Sequence, residues 1–256
     1  MENLHTDKPE NAAEVRMIPF PTENAEDHDW VLIFPGGGYN HLSLEKEGSK
    51  IAEALNREGL NAMVLHYRVS PWTHPDILAD AVRAVRRVRH LIRSRGSGSG
   101  RLAVMGFSAG GHLALTEAEH WQEVKEEEYS ETGRPDALIL CYPVVTFRDP
   151  FAHQGSRECF LGKADPSNAE LVDKYSAECH VSPDFPPAFI WHCESDRSVP
   201  VENSLMLRDA LERAGIDHKL MIFSGGEHGM GLAPNDPVIS GWFPACADWL
   251  REQGFR

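Results

Sequence analysis

The feature that most constrains this chain is the stretch 101–119. An apolar run, Leu102-Ala103-Val104-Met105, meets Gly106-Phe107-Ser108-Ala109-Gly110 and passes at once into a helix-compatible run, 112–119. A strand that becomes a helix within five residues must turn sharply at the middle one. Positions two before and two after it must then lack bulk, and Gly106 and Gly110 meet that demand. Ser108 is expected at the C-terminal edge of a sheet. It would stand above a helix N-terminus, whose partial positive charge favours an oxyanion. A chance Gly/Ser turn could share the pentapeptide but not the strand before it and the helix after it.

The rest of the chain supplies a sheet for that turn. Short apolar runs of strand length occur at 30–34, 61–67, 137–142, 188–192 and 218–223, with a shorter edge candidate at 15–19. Helical periodicity falls between them, at 43–58, 76–93, 203–214 and 239–252. Ser43 is the expected N-cap of the first of these, and Gly59 and Gly215 are expected stops. Strands that read as continuous apolar runs, alternating with helices, indicate an α/β class with a mostly parallel sheet covered on both faces. Residues 1–15 read as a loose polar arm, and 123–131 as an acidic helix end and loop. From 143 to 187 the periodicity disappears among Pro, Gly, Asp and Ser, the mark of a lid or substrate-binding insertion. With no repeat and no linker, 1–256 is expected to form a single domain.

Composition narrows the partners. The net charge of −14 speaks against nucleic acid and anionic membrane surfaces, which need clustered Lys and Arg. The one basic cluster, Arg83, Arg86, Arg87, Arg89 and Arg93, reads as the solvated face of a helix. No apolar run approaches the roughly 18 residues of a membrane span, and no basic-then-apolar leader is seen. Five cysteines without close pairing suggest reduced thiols and a cytoplasmic protein. No His/Cys ligand pattern or phosphate-loop pattern occurs, so neither metal nor cofactor is inferred. A homo-oligomer is left open.

A serine hydroxyl becomes a useful nucleophile only with a base, an acid that holds the base, and donors for the oxyanion. On a sheet of this topology the acid and then the histidine follow the serine along the chain. His228, in the glycine-rich loop 224–231 after the last strand, is the expected base. His112 lies inside the helix after the turn, and His66 and His192 lie in strands. Asp196, between a buried strand and a helix, is the expected acid, ahead of Glu194 and Asp173. Its alternative is a charge at a helix N-terminus. The expected oxyanion donors are the Ala109 amide and those of Gly37 and Gly38, from the triplet Gly36-Gly37-Gly38 after the strand at 30–34.

Five groups of residues, in order, resemble the bacterial α/β-hydrolase esterases of the acetyl esterase and lipase type, nearest to the small acetylxylan-esterase-like group. They are Pro35-Gly36-Gly37-Gly38-Tyr39; His66-Tyr67-Arg68-Val69 with His74-Pro75 and Asp80; Gly106 to His112; Ser195 to Ser204; and Glu227-His228-Gly229-Met230-Gly231-Leu232. The resemblance implies a mostly parallel central sheet, helices on both faces and a lid-like insertion, 143–187, after the sixth strand. It also implies hydrolysis of short acyl esters, often acetyl groups on sugars, through an acyl-serine. The family triad falls on Ser108, Asp196 and His228. Pro35 stands where lipase-type relatives carry histidine, which weakens inference from long-chain lipases.

The expected activity is therefore that of a serine carboxylester hydrolase on a small-molecule or oligosaccharide ester. Tyr39, His153, Arg157 and Tyr175 are candidate substrate contacts. Two alternatives stand beside it: a serine peptidase or acyl-aminoacyl hydrolase on the same scaffold, and a small-molecule-binding module that uses the fold without the chemistry.

Overall fold

The structure, a computed structural model, describes residues 2–3, 15–125 and 128–256. Most of the arm expected over 1–15, and part of the acidic stretch 123–131, lie outside the described residues. The strands are β1 (Glu2–Asn3), β2 (Arg16–Phe20), β3 (Trp30–Phe34), β4 (Asn61–His66), β5 (Leu102–Phe107), β6 (Ala137–Cys141), β7 (Ala188–Cys193) and β8 (His218–Phe223). The helices are α1 (Lys50–Arg57), α2 (Asp76–Arg95), α3 (Ala109–His120), α4 (Gln154–Leu161), α5 (Ala169–Lys174), α6 (Glu202–Ala214) and α7 (Trp242–Glu252).

One sheet takes the order β1-β2-β4-β3-β5-β6-β7-β8. β3 through β8 pair in parallel, and β1 and β2 add an antiparallel edge. Successive side chains on a strand point to opposite faces. Leu32, Phe34, Val104 and Leu140 accordingly join a core with α2 and α3, while Val31, Ile33, Met105 and Ile139 join a second core with α1 and α7. Each face is covered, which is why the strand sequences carry no polar alternation. Among the described residues, no helix is long and apolar enough to cross a membrane.

The register brings several strand ends together at one edge of the sheet. Phe34 lies opposite Gly106, Phe107 opposite Cys141, and Cys193 opposite Phe223. β3, β5, β7 and β8 therefore end near one another, and the chain leaves them as the glycine triplet, the Ser108 turn, the Asp196 loop and the His228 loop.

Two elements differ from expectation. The helix expected over 43–58 begins as a π-turn, Glu45–Ser49, before α1, with no side-chain cap from Ser43. The wider turn brings Glu47 and Gly48 inside the protein. The segment 143–187 holds α4 and α5, capped by the side chains of His153 and Asn168. Helices of eight and six residues are too short to show a periodicity in sequence. Phe160, Val172, Tyr175 and Phe185 anchor this segment in the same core as α2 and α3.

Candidate active site

The turn at Ser108 is strained. Ser108 has φ 52° and ψ −119°, in the left-handed region that a side chain rarely occupies. A Cβ on Gly106 would stand 2.3 Å from the Gly110 carbonyl oxygen, and one on Gly110 2.1 Å from that of Phe34, so neither position admits a side chain. The Ser108 amide donates to Cys141 O and the Ser108 carbonyl accepts from Val144 N, which ties the strained residue to β6 and the chain beyond it. Residues held this way are found where geometry serves chemistry.

Ser108 Oγ lies 2.7 Å from His228 Nε2, and His228 Nδ1 lies 2.7 Å from Asp196 Oδ2. The second Asp196 oxygen accepts the amides of Ser198 and Val199, each at 2.9 Å. Burial alone would raise the Asp196 carboxyl, but hydrogen bonds from His192 and His228 outweigh it and hold the group well below the usual carboxylate range. An ionised Asp196 facing Nδ1 fixes the proton there and leaves Nε2 free to accept one from Ser108.

The glycine triplet expected to supply oxyanion donors, here termed the oxyanion loop, follows β3. Gly36 N–H is committed to Glu47 Oε2 at 3.0 Å, leaving Gly37 and Gly38 as the amides of the triplet available for a ligand. Gly37 has φ 133°, and a Cβ there would meet His41 O at 2.1 Å. Ala109 is the first residue of α3, so its N–H has no acceptor within its own helix.

The four candidate substrate contacts divide. His153 flanks the oxyanion loop: its Cε1 lies 3.8 Å from where a Cβ on Gly38 would stand. Its Nδ1 accepts the Ser156 amide at 3.1 Å, so the neutral ring carries its proton on Nε2. Burial, and then the charge of His228, hold its pKa below the ordinary histidine value. Arg157 instead braces a loop, donating from Nη1 to Phe147 O at 2.9 Å and to Asp149 at 3.3 Å.

Tyr39 and Tyr175 are corrections. Tyr39 is fully buried, and its hydroxyl donates to His112 Nδ1 at 2.8 Å. His112 Nε2 in turn donates to Tyr175 O at 2.8 Å, and the Tyr175 hydroxyl meets His74 Nδ1 at 3.2 Å. Both phenols are satisfied inside the protein, where they join the oxyanion loop, α3 and the 143–187 segment.

Two residues near the site carry no sequence signal of their own. His192, passed over as a strand residue, points its Nε2 at Asp196 Oδ2 from 3.3 Å. Glu47, one of three glutamates within nine residues of an ordinary surface-helix pattern, is brought in by the π-turn. Only the side-chain direction at β7 and the π register distinguish them. The rejected acids fare as their positions suggest: Glu194 is exposed, and Asp173 pairs with Arg148 at 2.9 Å.

Open grooves flank His228. One of about 440 Å³ runs past Lys46, Lys50, Met230, Leu232 and Asn235. Another of about 720 Å³ runs past Ser195, Arg197, Ser198 and Glu227. A separate cavity of about 620 Å³, lined by Met17, Trp30, Met63 and Leu91, shares no residue with this site.

The model of the BD-FAE family matches residues 18–211. The chain is 39% identical over 235 residues to endo-1,4-beta-xylanase B of Butyrivibrio fibrisolvens, covering 89% of this chain and 36% of that protein. It is 32% identical to an acetylxylan esterase of Xylanibacter ruminicola, covering 93% of this chain and 47% of that one. It thus spans less than half the length of these two curated relatives. Among solved structures, an acetyl ester-xyloside bifunctional hydrolase from Caldicellulosiruptor lactoaceticus superposes with a TM-score of 0.89 at 37% identity, covering 98% of this chain and 92% of that one. With its α/β-hydrolase sheet and a family match over most of its length, the chain belongs to the BD-FAE family, among the α/β-hydrolases of the acetyl esterase type.

Proposed function

We propose that this chain is a serine carboxylester hydrolase that removes short acyl groups, acetyl foremost, from carbohydrate esters through an acyl-serine intermediate. The observation that carries the proposal is the pair of 2.7 Å contacts linking Ser108, His228 and Asp196 beside the first residue of α3. His228 Nε2 takes the Ser108 proton as Oγ attacks the ester carbonyl. Asp196 steadies the imidazolium without taking its proton. The oxyanion is received by the amides of Ala109 and of Gly37 or Gly38. His228 then passes the proton to the leaving alcohol, and a water activated by the same nitrogen releases the acid and frees Ser108.

Two features favour a small acyl group on a hydrophilic alcohol. The grooves beside His228 are open, and the one that runs past Ser195, Arg197, Ser198 and Glu227 is lined by polar side chains, which suits a sugar hydroxyl as leaving group. The relatives that are named for acetyl esters and xylan point to the same class of substrate. Comparison of kcat/KM for acetyl, butyryl and octanoyl nitrophenyl esters, followed by acetylated xylo-oligosaccharides, tests the proposal. Acetyl should be turned over fastest of the three, with acetate released from the oligosaccharides. Faster turnover of octanoyl than acetyl would remove the short-acyl assignment.

A further inference from the structure

Glu47 is a charged side chain 4% exposed, in a part of the chain that supplies none of the three triad residues. The π-turn over Glu45–Ser49 makes this burial: Ser49 N bonds to Leu44 O and Lys50 N to Glu45 O, each spanning five residues. Both carboxylate oxygens are used. Oε2 accepts Gly36 N–H at 3.0 Å, on the oxyanion loop. Oε1 accepts the Tyr142 hydroxyl proton at 2.7 Å. The Tyr142 oxygen accepts Gly231 N–H at 3.0 Å, and Gly231 O accepts Trp242 Nε1–H at 3.0 Å. From the same π-turn Lys46 Nζ donates to Gly229 O at 2.9 Å, beside His228.

Tyr142 is held for this task at a cost. It has φ 39°, strained for a residue with a side chain, at the end of β6. Its ring is fully buried and stands edge-on to the His228 imidazole, with centroids 5.0 Å apart. Burial, and then the Glu47 charge, raise its pKa, so the phenol stays a donor. The strained backbone, the buried charge and the shared hydroxyl converge on one junction between two loops.

We infer that Glu47 and Tyr142 are positioning residues that lock the oxyanion loop to the His228 loop, so that the hole and the base are held in register as one unit. With Gly36 N–H turned toward Glu47, the following peptides of Gly37 and Gly38 are left to face the substrate. With Gly231 N–H turned toward Tyr142, the His228 loop is pinned from beneath. No proton moves through the pair during turnover. Their catalytic consequence rests on the ester-hydrolase proposal, whereas the mechanical link does not.

Glu47→Gln retains size but offers only one accepting oxygen to two donors, and Tyr142→Phe removes the shared hydroxyl. Each is expected to lower kcat on an acetyl ester about 10- to 100-fold while KM stays within about threefold, because preorganised donors act on the transition state. The double variant should be no slower than the slower single variant, since each change breaks the same link. In labelled protein, each single variant should shift the amide resonances of both Gly36 and Gly231. Tyr142→Phe decides the matter if Glu47→Gln does not fold. Folded variants with kcat within twofold of wild type overturn the inference. So do losses that multiply in the double variant, and so do amide shifts confined to the mutated residue's own loop. If wild type hydrolyses no ester, the function proposal fails, and the amide shifts alone still decide the link.

Discussion

His192 Nε2 lies 3.3 Å from Asp196 Oδ2, and both side chains are wholly buried. The same nitrogen lies 3.0 Å from Val199 O, while Nδ1 lies 2.7 Å from Ser204 Oγ. A carbonyl and a carboxylate only accept, so the proton sits on Nε2 and Nδ1 accepts from the serine. Asp196 is thus held from behind by His192 while it holds His228 in front. His192→Phe keeps an aromatic ring at the site, a slightly larger one, and removes both nitrogens. It should lower kcat on an acetyl ester about tenfold, the size of one lost charge-assisted hydrogen bond, with KM little changed. It should also lower the melting temperature, because Val199 O and Ser204 Oγ lose a buried partner. Steady-state kinetics with a thermal melt checks both.

Much of this site was legible in sequence because its parts obey local rules. The Ser108 turn needs glycine at two fixed positions, and the Asp196 and His228 loops follow buried strands in the order the topology requires. Tyr39 and Tyr175 misled for a physical reason: a tyrosine beside functional residues looks the same whether its hydroxyl meets a substrate or His112. His192 could not be read, since a strand buried on both faces carries no alternation to say which way a side chain points. Glu47 was hidden by a change from α to π register. The two helices within 143–187 were too short for a periodic signal, and only their caps at His153 and Asn168 mark them.

Gly37→Ala tests the oxyanion loop. Its φ of 133° and the 2.1 Å approach to His41 O force that peptide to move. Loss of one oxyanion donor should cost on the order of 10²–10³ in kcat, with far-ultraviolet dichroism unchanged. A folded variant with near-normal kcat would move the hole elsewhere.

His112 links pH to stability. Burial lowers its pKa from 6.5 to about 4, although the Tyr175 carbonyl opposes the shift. The unfolded chain therefore takes up this proton at higher pH than the folded protein. The stabilisation is complete above about pH 6.5 and is lost as pH falls through the folded value. The interval corresponds to on the order of 3 kcal/mol. Urea unfolding at pH 7 and pH 4.5 should show a larger drop for wild type than for His112→Gln. Equal drops would mean that His112 is not the group responsible.

The central claim is that Ser108 carries the acyl group, and the direct measurement is the mass of the protein after reaction with a nitrophenyl phosphonate, followed by peptide mapping. One phosphonyl adduct should form, on the peptide containing Ser108. It should form slowly in His228→Ala and be absent in Ser108→Ala. An adduct on another residue, or equal labelling of Ser108→Ala and wild type, would contradict the account.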